Sequence, residues 1–289
     1  MKMRRASSRS SFRRNGRGVS PAISTVILTS AIIVLLLVTI VFTNNVLTAR
    51  IAESEFSAME QFMQTVALQV DDVAWTLGST ETIRYSSKYG DVSVLRSCLS
   101  YTIYFQNKTG QTGWYSIHPY LVGAIVFNVP VSQYTLFNGY YELISPYSDS
   151  TLTLKGESAP LTRVFAIEKL PMSDGSFIRI VVAPSIRLLN STISQTFYVK
   201  MYLPVIELTS SPKLAQSITL TGSSISANTI NNVKSINVTV DFPNAIGGFD
   251  NSFFHFPSRY ETISIPNGFS DVVLEVYASK VTTIVGAYS

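Results

Sequence analysis

The sequence predicts an α+β protein: a long N-terminal α-helix, membrane-type in its first half and amphipathic in its second, followed by an antiparallel β-sandwich-like domain. Three observations predict it. Residues 24–43 form a near-continuous apolar block, residues 44–77 repeat apolar side chains at helical spacing, and from Ser79 onward the period shifts to two.

The apolar block carries no charge from Val19 until Arg50. Twenty such residues at 1.5 Å each match the ~30 Å hydrocarbon core of a bilayer. Its Ile, Leu, Val and Phe side chains favour insertion by about 0.3–0.6 kcal/mol each, roughly 4–8 kcal/mol together. A transmembrane part over 24–43 is therefore expected. Before it, Ser20 suits a helix N-cap and Pro21 suits the first turn, where a missing N–H costs nothing. Residues 1–18 form a basic leader. Lys2, Arg4, Arg5, Arg9, Arg13, Arg14 and Arg17 meet no acidic residue before Glu53. Those charges place the leader on the cytoplasmic side and everything beyond Thr43 outside, and they favour anionic lipid while attached.

Arg17-Gly18-Val19-Ser20-Pro21, a basic edge and a glycine followed directly by a long apolar helix, resembles the class III signal peptide of archaeal type IV pilin-like proteins. The resemblance covers about the first 80 residues. It implies cleavage between Gly18 and Val19 by a prepilin peptidase, with the helix retained on the mature chain, so Arg17, Gly18 and Val19 form the processing site. It also implies assembly through the helix, for which Ser20, Pro21, Ile23, Val26, Ile27, Leu35 and Phe42 are the candidate contacts. The implied partners are the chain itself or other pilin subunits and the pilus assembly machinery, in addition to the lipid bilayer. Ile23 stands where bacterial pilins carry Glu, so an assembly contact through that carboxylate is not available. An uncleaved signal anchor shares the same block and flank. A conventional secretory signal fits less well, since Val46–Ala52 offers no A-x-A site.

The second half of the helix alternates Phe56, Met59, Phe62, Met63, Val66, Val70, Val73 and Leu77 with Glu, Gln and Asp, without proline, and Gly78 suits a left-handed cap. The predicted helix runs from Pro21 to Leu77, roughly 85 Å at 1.5 Å per residue. Residues 19–78 thus read as one pilin-like helix. Asp71-Asp72 on this helix reads as a solvated edge, because adjacent helical residues point about 100° apart.

Residues 79–289 read as an extracellular β-rich domain. ETIRYSS, DVSVL, LSYTIYFQ, GAIVFNV, TLTLKG, SFIRIVVA, QTFYVKMYL, QSITLTG, VKSINVTVDF, YETISI and DVVLEVYA are short runs rich in Val, Ile, Thr, Tyr and Phe, separated by turn clusters. Asn138-Gly139 and Asp174-Gly175 are hairpin signals. Thr209–Pro212 is a candidate seam between two β domains, and Gly222–Asn232, rich in Ser and Asn, reads as an exposed loop. Asn107, Asn190 and Asn237 begin the sequons Asn107-Lys108-Thr109, Asn190-Ser191-Thr192 and Asn237-Val238-Thr239, candidate glycosylation sites on the external side. Asn107, expected in a turn, is the most accessible candidate, and Asn237 lies inside a strand run.

Function classes narrow by composition. The chain has 289 residues and a net charge of +4, and the excess sits in the leader: removing its seven basic residues leaves about −3 (+4 minus 7). A nucleic-acid partner is not expected. Cys98 is the one cysteine, so no intrachain disulfide forms; within VLRSCLSYTIYF it reads as a buried structural thiol. His118 and His255 lie far apart with no partner at metal-ligand spacing. No nucleophile elbow, phosphate loop, H-E-x-x-H or EF-hand pattern occurs. Asp149, Asp241 and Asp250 lie in or beside loops and could join a calcium site with backbone carbonyls, but nothing fixes their mutual distance. The 15 Tyr and 16 Phe fit core and cross-strand pairing better than a binding face. No enzyme activity, cofactor or metal is expected. Two functions remain: a structural subunit of a surface filament or pseudopilus with an adhesive outer domain, or a single-pass membrane anchor holding an extracellular β-sandwich binding module.

Overall fold

The computed structural model describes residues 21–108, 113–146, 151–212 and 214–286. One long helix precedes a mostly β region. The chain divides into two compact units, Met1–Thr48 and Ala49–Ser289. Helix α1 spans Pro21–Ala74 and continues without interruption through Asn44-Asn45. It stops three residues short of the expected Leu77, and Gly78 then takes a left-handed φ of 78°, donating its N–H to the Gly222 carbonyl at 2.9 Å. Only glycine adopts that conformation without strain.

The strands follow in order: β1 (Thr80–Arg84), β2 (Asp91–Asn107), β3 (Tyr115–Ser116), β4 (Tyr120–Pro130), β5 (Tyr140–Ser145), β6 (Thr153–Lys155), β7 (Thr162–Glu168), β8 (Phe177–Pro184), β9 (Ile186–Ile193), β10 (Thr196–Ser210), β11 (Ser217–Ile230), β12 (Val233–Asp241), β13 (Tyr260–Ile263) and β14 (Asp271–Val285), with a short helix α2 (Asn251–Phe254) between β12 and β13. One sheet of six strands runs β1-β11-β14-β10-β9-β6; the other, of eight, runs β13-β12-β2-β4-β8-β7-β5 with β3 beside β2.

The antiparallel expectation needs correction. Every pair in the eight-stranded sheet is antiparallel, but β10 pairs with β14 in parallel from Thr196/Asp271 onward, as does β6 with β9. The parallel pair sits in the middle of its sheet, where aliphatic side chains alternate with partly buried polar and aromatic ones. Thr209–Pro212 closes β10 and leads to β11 inside the second unit. Gly222–Asn232 is largely strand: β11 pairs with β14 through Ile230↔Leu274, with a register shift between Gly222 and Ser224. Asp174-Gly175 lies in the connection between the neighbours β7 and β8. Asn138-Gly139 joins no hairpin, because β4 and β5 are not neighbours and β5 pairs with β7.

Two apolar cores fill the second unit. One takes side chains from both sheets, among them Val122, Val126 and Val181 from the eight-stranded sheet and Val199, Met201 and Leu274 from the six-stranded one. Phe253 and Phe254 of α2 belong to it, with Phe165 edge-on to both. Cys98 is fully buried there, its Sγ 3.6 Å from the Val122 carbonyl, and burial pushes its thiol up to about 12. The thiol is inert packing. It sits where β2 skips register between Leu95 and Leu99.

The second core surrounds α1. Phe56, Met59, Met63, Val66, Val70 and Val73 meet Ile125, Phe127, Ile180, Val182, Ile206, Ile218, Leu220 and Val281. Residues of opposite parity on β4 thus serve different cores: Val122, Ala124 and Val126 face one, Ile125, Phe127 and Val129 the other. This two-sided burial explains why the middle of β4 reads as a continuous apolar run.

Candidate functional site: an uncovered apolar helix and its anchored continuation

Within the first unit, every residue from Ile23 to Leu47 is exposed. Ile23, Val26, Ile27, Leu35 and Phe42 stand 54%, 64%, 61%, 65% and 69% open. An apolar surface all round a helix is unstable in water and requires lipid or other helices. The segment is long and apolar enough to cross a membrane by length and composition. Its polar side chains are partly neutralised locally. Thr29 donates its hydroxyl to the Thr25 and Val26 carbonyls at 2.9 and 3.0 Å, and Thr39 donates to Leu35 at 2.7 Å. Such back-bonding hides hydroxyls from hydrocarbon. Pro21 opens the helix, while Arg17, Gly18, Val19 and Ser20 lie outside the described residues, as does the leader before them.

The helix from Ala49 onward is anchored by three polar devices as well as its buried face. Glu55 takes hydrogen bonds from the Ser87 hydroxyl and from the Lys88, Tyr89 and Gly90 amides, the last three at 3.0, 3.1 and 3.3 Å. Burial raises its carboxyl, but these donors outweigh it and hold the group below the usual glutamate value. Asp71 accepts from the Leu161 amide at 3.0 Å and from the Arg187 guanidinium at 2.8 Å. Burial dominates there: it pushes the carboxyl up to about 6, against the pull of Arg187 and the Leu161 amide. Asp71 is therefore not the solvated edge expected of an Asp-Asp pair. It follows Ala67 by one helical turn on the buried side, so the β unit sequesters it. The end of the helix is received by Ser279, whose hydroxyl donates to the Ala74 carbonyl, and by Tyr202, against which Trp75 lies edge-on at 5.2 Å.

Gly222 makes that seat possible. A Cβ at this position would lie 2.2 Å from the Val73 carbonyl oxygen and 2.8 Å from that of Thr76. Neither Glu55 nor Gly222 was marked by sequence; the only available signal was at Asp71, a carboxylate four residues after Ala67 on an apolar stripe.

The other candidates separate. Asn107 is the last residue of β2, paired with Val233, and not in a turn. Its Oδ1 is buried without a hydrogen-bond partner among the described residues, and so is that of Asn237 in the interior of β12. Asn190 is exposed on β9, beyond the stretch that β6 covers. Asp241 pairs with Arg259 at 2.6 Å and Asp250 with Lys169 at 2.7 Å, while Asp149 lies outside the described residues. Asp250 also caps α2, accepting from Ser252 and Phe253 N–H. Burial would raise its carboxyl, but the Lys169 and Ser252 hydrogen bonds bring it down to about 2. Tyr141 stacks on His255 with ring centroids 3.9 Å apart. No cluster of His, Cys, Asp or Glu suited to a metal ion occurs among the described residues. An open cleft of about 450 Å³ is lined by Tyr85, Asp91, Val92, Leu214, Gln216 and Val285. Its Gln216 amide is spent on the Ser87 backbone, and the Tyr85 hydroxyl accepts from the Val92 N–H.

Comparison with protein-family models, with characterised protein sequences and with solved structures finds no match to this chain.

Proposed function

We propose that this chain is a non-enzymatic, pilin-like structural subunit of a surface filament or pseudopilus, inserted as a membrane precursor, cut after Gly18 and assembled through its N-terminal helix. The observation that carries the reading is the division of α1. Residues 23–47 are uncharged, uncovered and mostly apolar, while Phe56, Met63, Val66, Val70 and Val73 are buried in the chain's own β unit. A helix so divided suits exchange of lipid for neighbouring copies around its free half, with no change in the half that carries the domain. On this reading the β unit is sandwich-like, lies outside the cell and forms the outer layer of the filament, where it makes adhesive contacts. The partners are other subunits, a prepilin peptidase, the assembly machinery and the bilayer; nucleic acid is not among them.

Shearing cells and imaging the released material tests this. Filaments containing the chain are the expected result. Chain that stays wholly in the membrane fraction as separate molecules contradicts it, and would leave a single-pass anchor bearing an extracellular binding module.

A further inference from the structure

We infer that the free edge of β11, Ser223–Ile230, is a pairing surface for a second copy of this chain, joined antiparallel, β11 to β11, about a two-fold axis through Ser226 or Ala227. The inference stands on the strand alone and does not depend on what the helix assembles into.

β11 has two edges. Along one it pairs with β14 up to Ile230↔Leu274. Along the other, β1 covers only Ser217–Thr221, and no strand among the described residues covers the rest. All residues from Ser223 to Thr229 are exposed. A strand in a sheet normally buries alternate side chains; this stretch buries none, although β14 beside it keeps Leu274 and Val276 wholly buried. The backbone donors and acceptors on the open side therefore form a long template for another strand.

Proteins usually blunt such an edge with lysine, proline or an inward charge. From Leu214 to Val233 the chain has no Asp, Glu, Lys, Arg or Pro. The one irregularity in its pairing with β14, the register shift between Gly222 and Ser224, lies at the start of the free stretch and leaves Ser224–Ile230 in unbroken register. Ile225, Thr229 and Ile230 add β-branched side chains.

The lack of charge selects the occupant. When a strand pairs antiparallel with its own copy, residues near the axis face themselves or close neighbours, so any charge there meets its like at a cost. Ser-Ser-Ile-Ser-Ala-Asn-Thr-Ile is free of that cost; since the Ser226 hydroxyl and the Asn228 amide already donate within the chain, to the Ala278 carbonyl at 3.3 Å and the Tyr120 hydroxyl at 3.1 Å, the pair is held by its backbone bonds. A charged partner strand would find no countercharge along this edge. The isologous arrangement closes as a dimer with both edges used.

Single cysteines test it in the full-length protein in detergent, since Cys98 is buried and inert. Residues facing each other across an antiparallel pair have Cα atoms about 4.5–5.5 Å apart, within disulfide range. Under mild oxidation, Ser226→Cys or Ala227→Cys should give a covalent dimer, and Ile246→Cys should not, although Ile246 is fully exposed on the same unit. Adding the charge variant at the neighbouring position (Ala227→Lys to Ser226→Cys, Ser226→Lys to Ala227→Cys) should abolish the crosslink. These side chains are exposed, so the fold tolerates them, and an unchanged far-UV circular dichroism spectrum checks it. No crosslink at either position overturns the inference, and so does equal crosslinking at Ile246→Cys, which would mean association through the helix in the micelle.

Discussion

Replacing Gly222 by alanine should unseat the end of α1 from the six-stranded sheet. The added methyl would sit 2.2 Å from the Val73 carbonyl oxygen and 2.8 Å from the Thr76 oxygen. Both contacts are with backbone, so no flexible side chain can swing away. The same residue closes two ladder-like bonds, Gly78 N–H to the Gly222 carbonyl at 2.9 Å and Gly222 N–H to the Ser79 carbonyl at 3.0 Å, and relieving the clash would strain both. Overpacking a well-filled site costs about 1–3 kcal/mol, and a backbone contact this short belongs at about 3 kcal/mol. For a unit of this size each kcal/mol lowers the melting temperature by about 2–4 °C, so the expected drop is about 6–12 °C. Thermal unfolding of the full chain in detergent, followed by near-UV circular dichroism, reads it directly, because Trp75 against Tyr202 reports on this joint. Gly113→Ala is the control: an added Cβ there meets nothing within 4 Å. If Gly222→Ala melts with the wild type, the helix end is not seated on β11 as described.

Two carboxylates on α1 should respond to pH with opposite signs. Asp71 is raised in the folded chain, from 3.8 to about 6, so its contribution to stability is full below about 4 and lost as pH rises through about 6; denaturant midpoints should show wild type losing ground to Asp71→Asn over that window. Glu55 is lowered, so its contribution is present above about 4.5 and lost as pH falls through its folded value, and Glu55→Gln should close its deficit against wild type on acidification. Equal pH profiles for both variants would contradict the assigned environments. Ile33→Arg with Leu37→Arg should cost about 5–7 kcal/mol of insertion free energy, enough to cancel the apolar gain and release the chain to carbonate extraction. If the chain carries an N-glycan, Asn190→Gln should remove mass that Asn107→Gln and Asn237→Gln leave in place, since Asn190 alone of the three is exposed.

The helix was legible because its signals are local. Most side chains from Val26 to Phe42 are apolar whatever surrounds them, and the three- and four-residue steps of Phe56 to Val73 mark a buried face without reference to its partner. Most strands were legible by alternation, but β3, β5, β7 and β9 were not; in β7 the reason is plain, since Thr162–Glu168 is buried on both faces and its sequence does not alternate. β11 beyond Gly222 reads as loop because Ser and Asn favour turns, and its strand conformation comes from a ladder with β14 some fifty residues away. The parallel pairing of β10 with β14 leaves no local trace either. Asn138-Gly139 has hairpin chemistry, yet the chain after it pairs with β7, since tertiary pairing overrides a turn signal. The anchoring role of Glu55 was invisible for the same reason: its partners, Ser87 to Gly90, are assembled only by folding.

The mature N-terminus decides the central claim. Mass spectrometry of the chain taken from its native membrane or from sheared surface material should find a first residue of Val19, with the seven leader cations gone. A chain that begins at Met1 and keeps Arg17-Gly18 intact would contradict it.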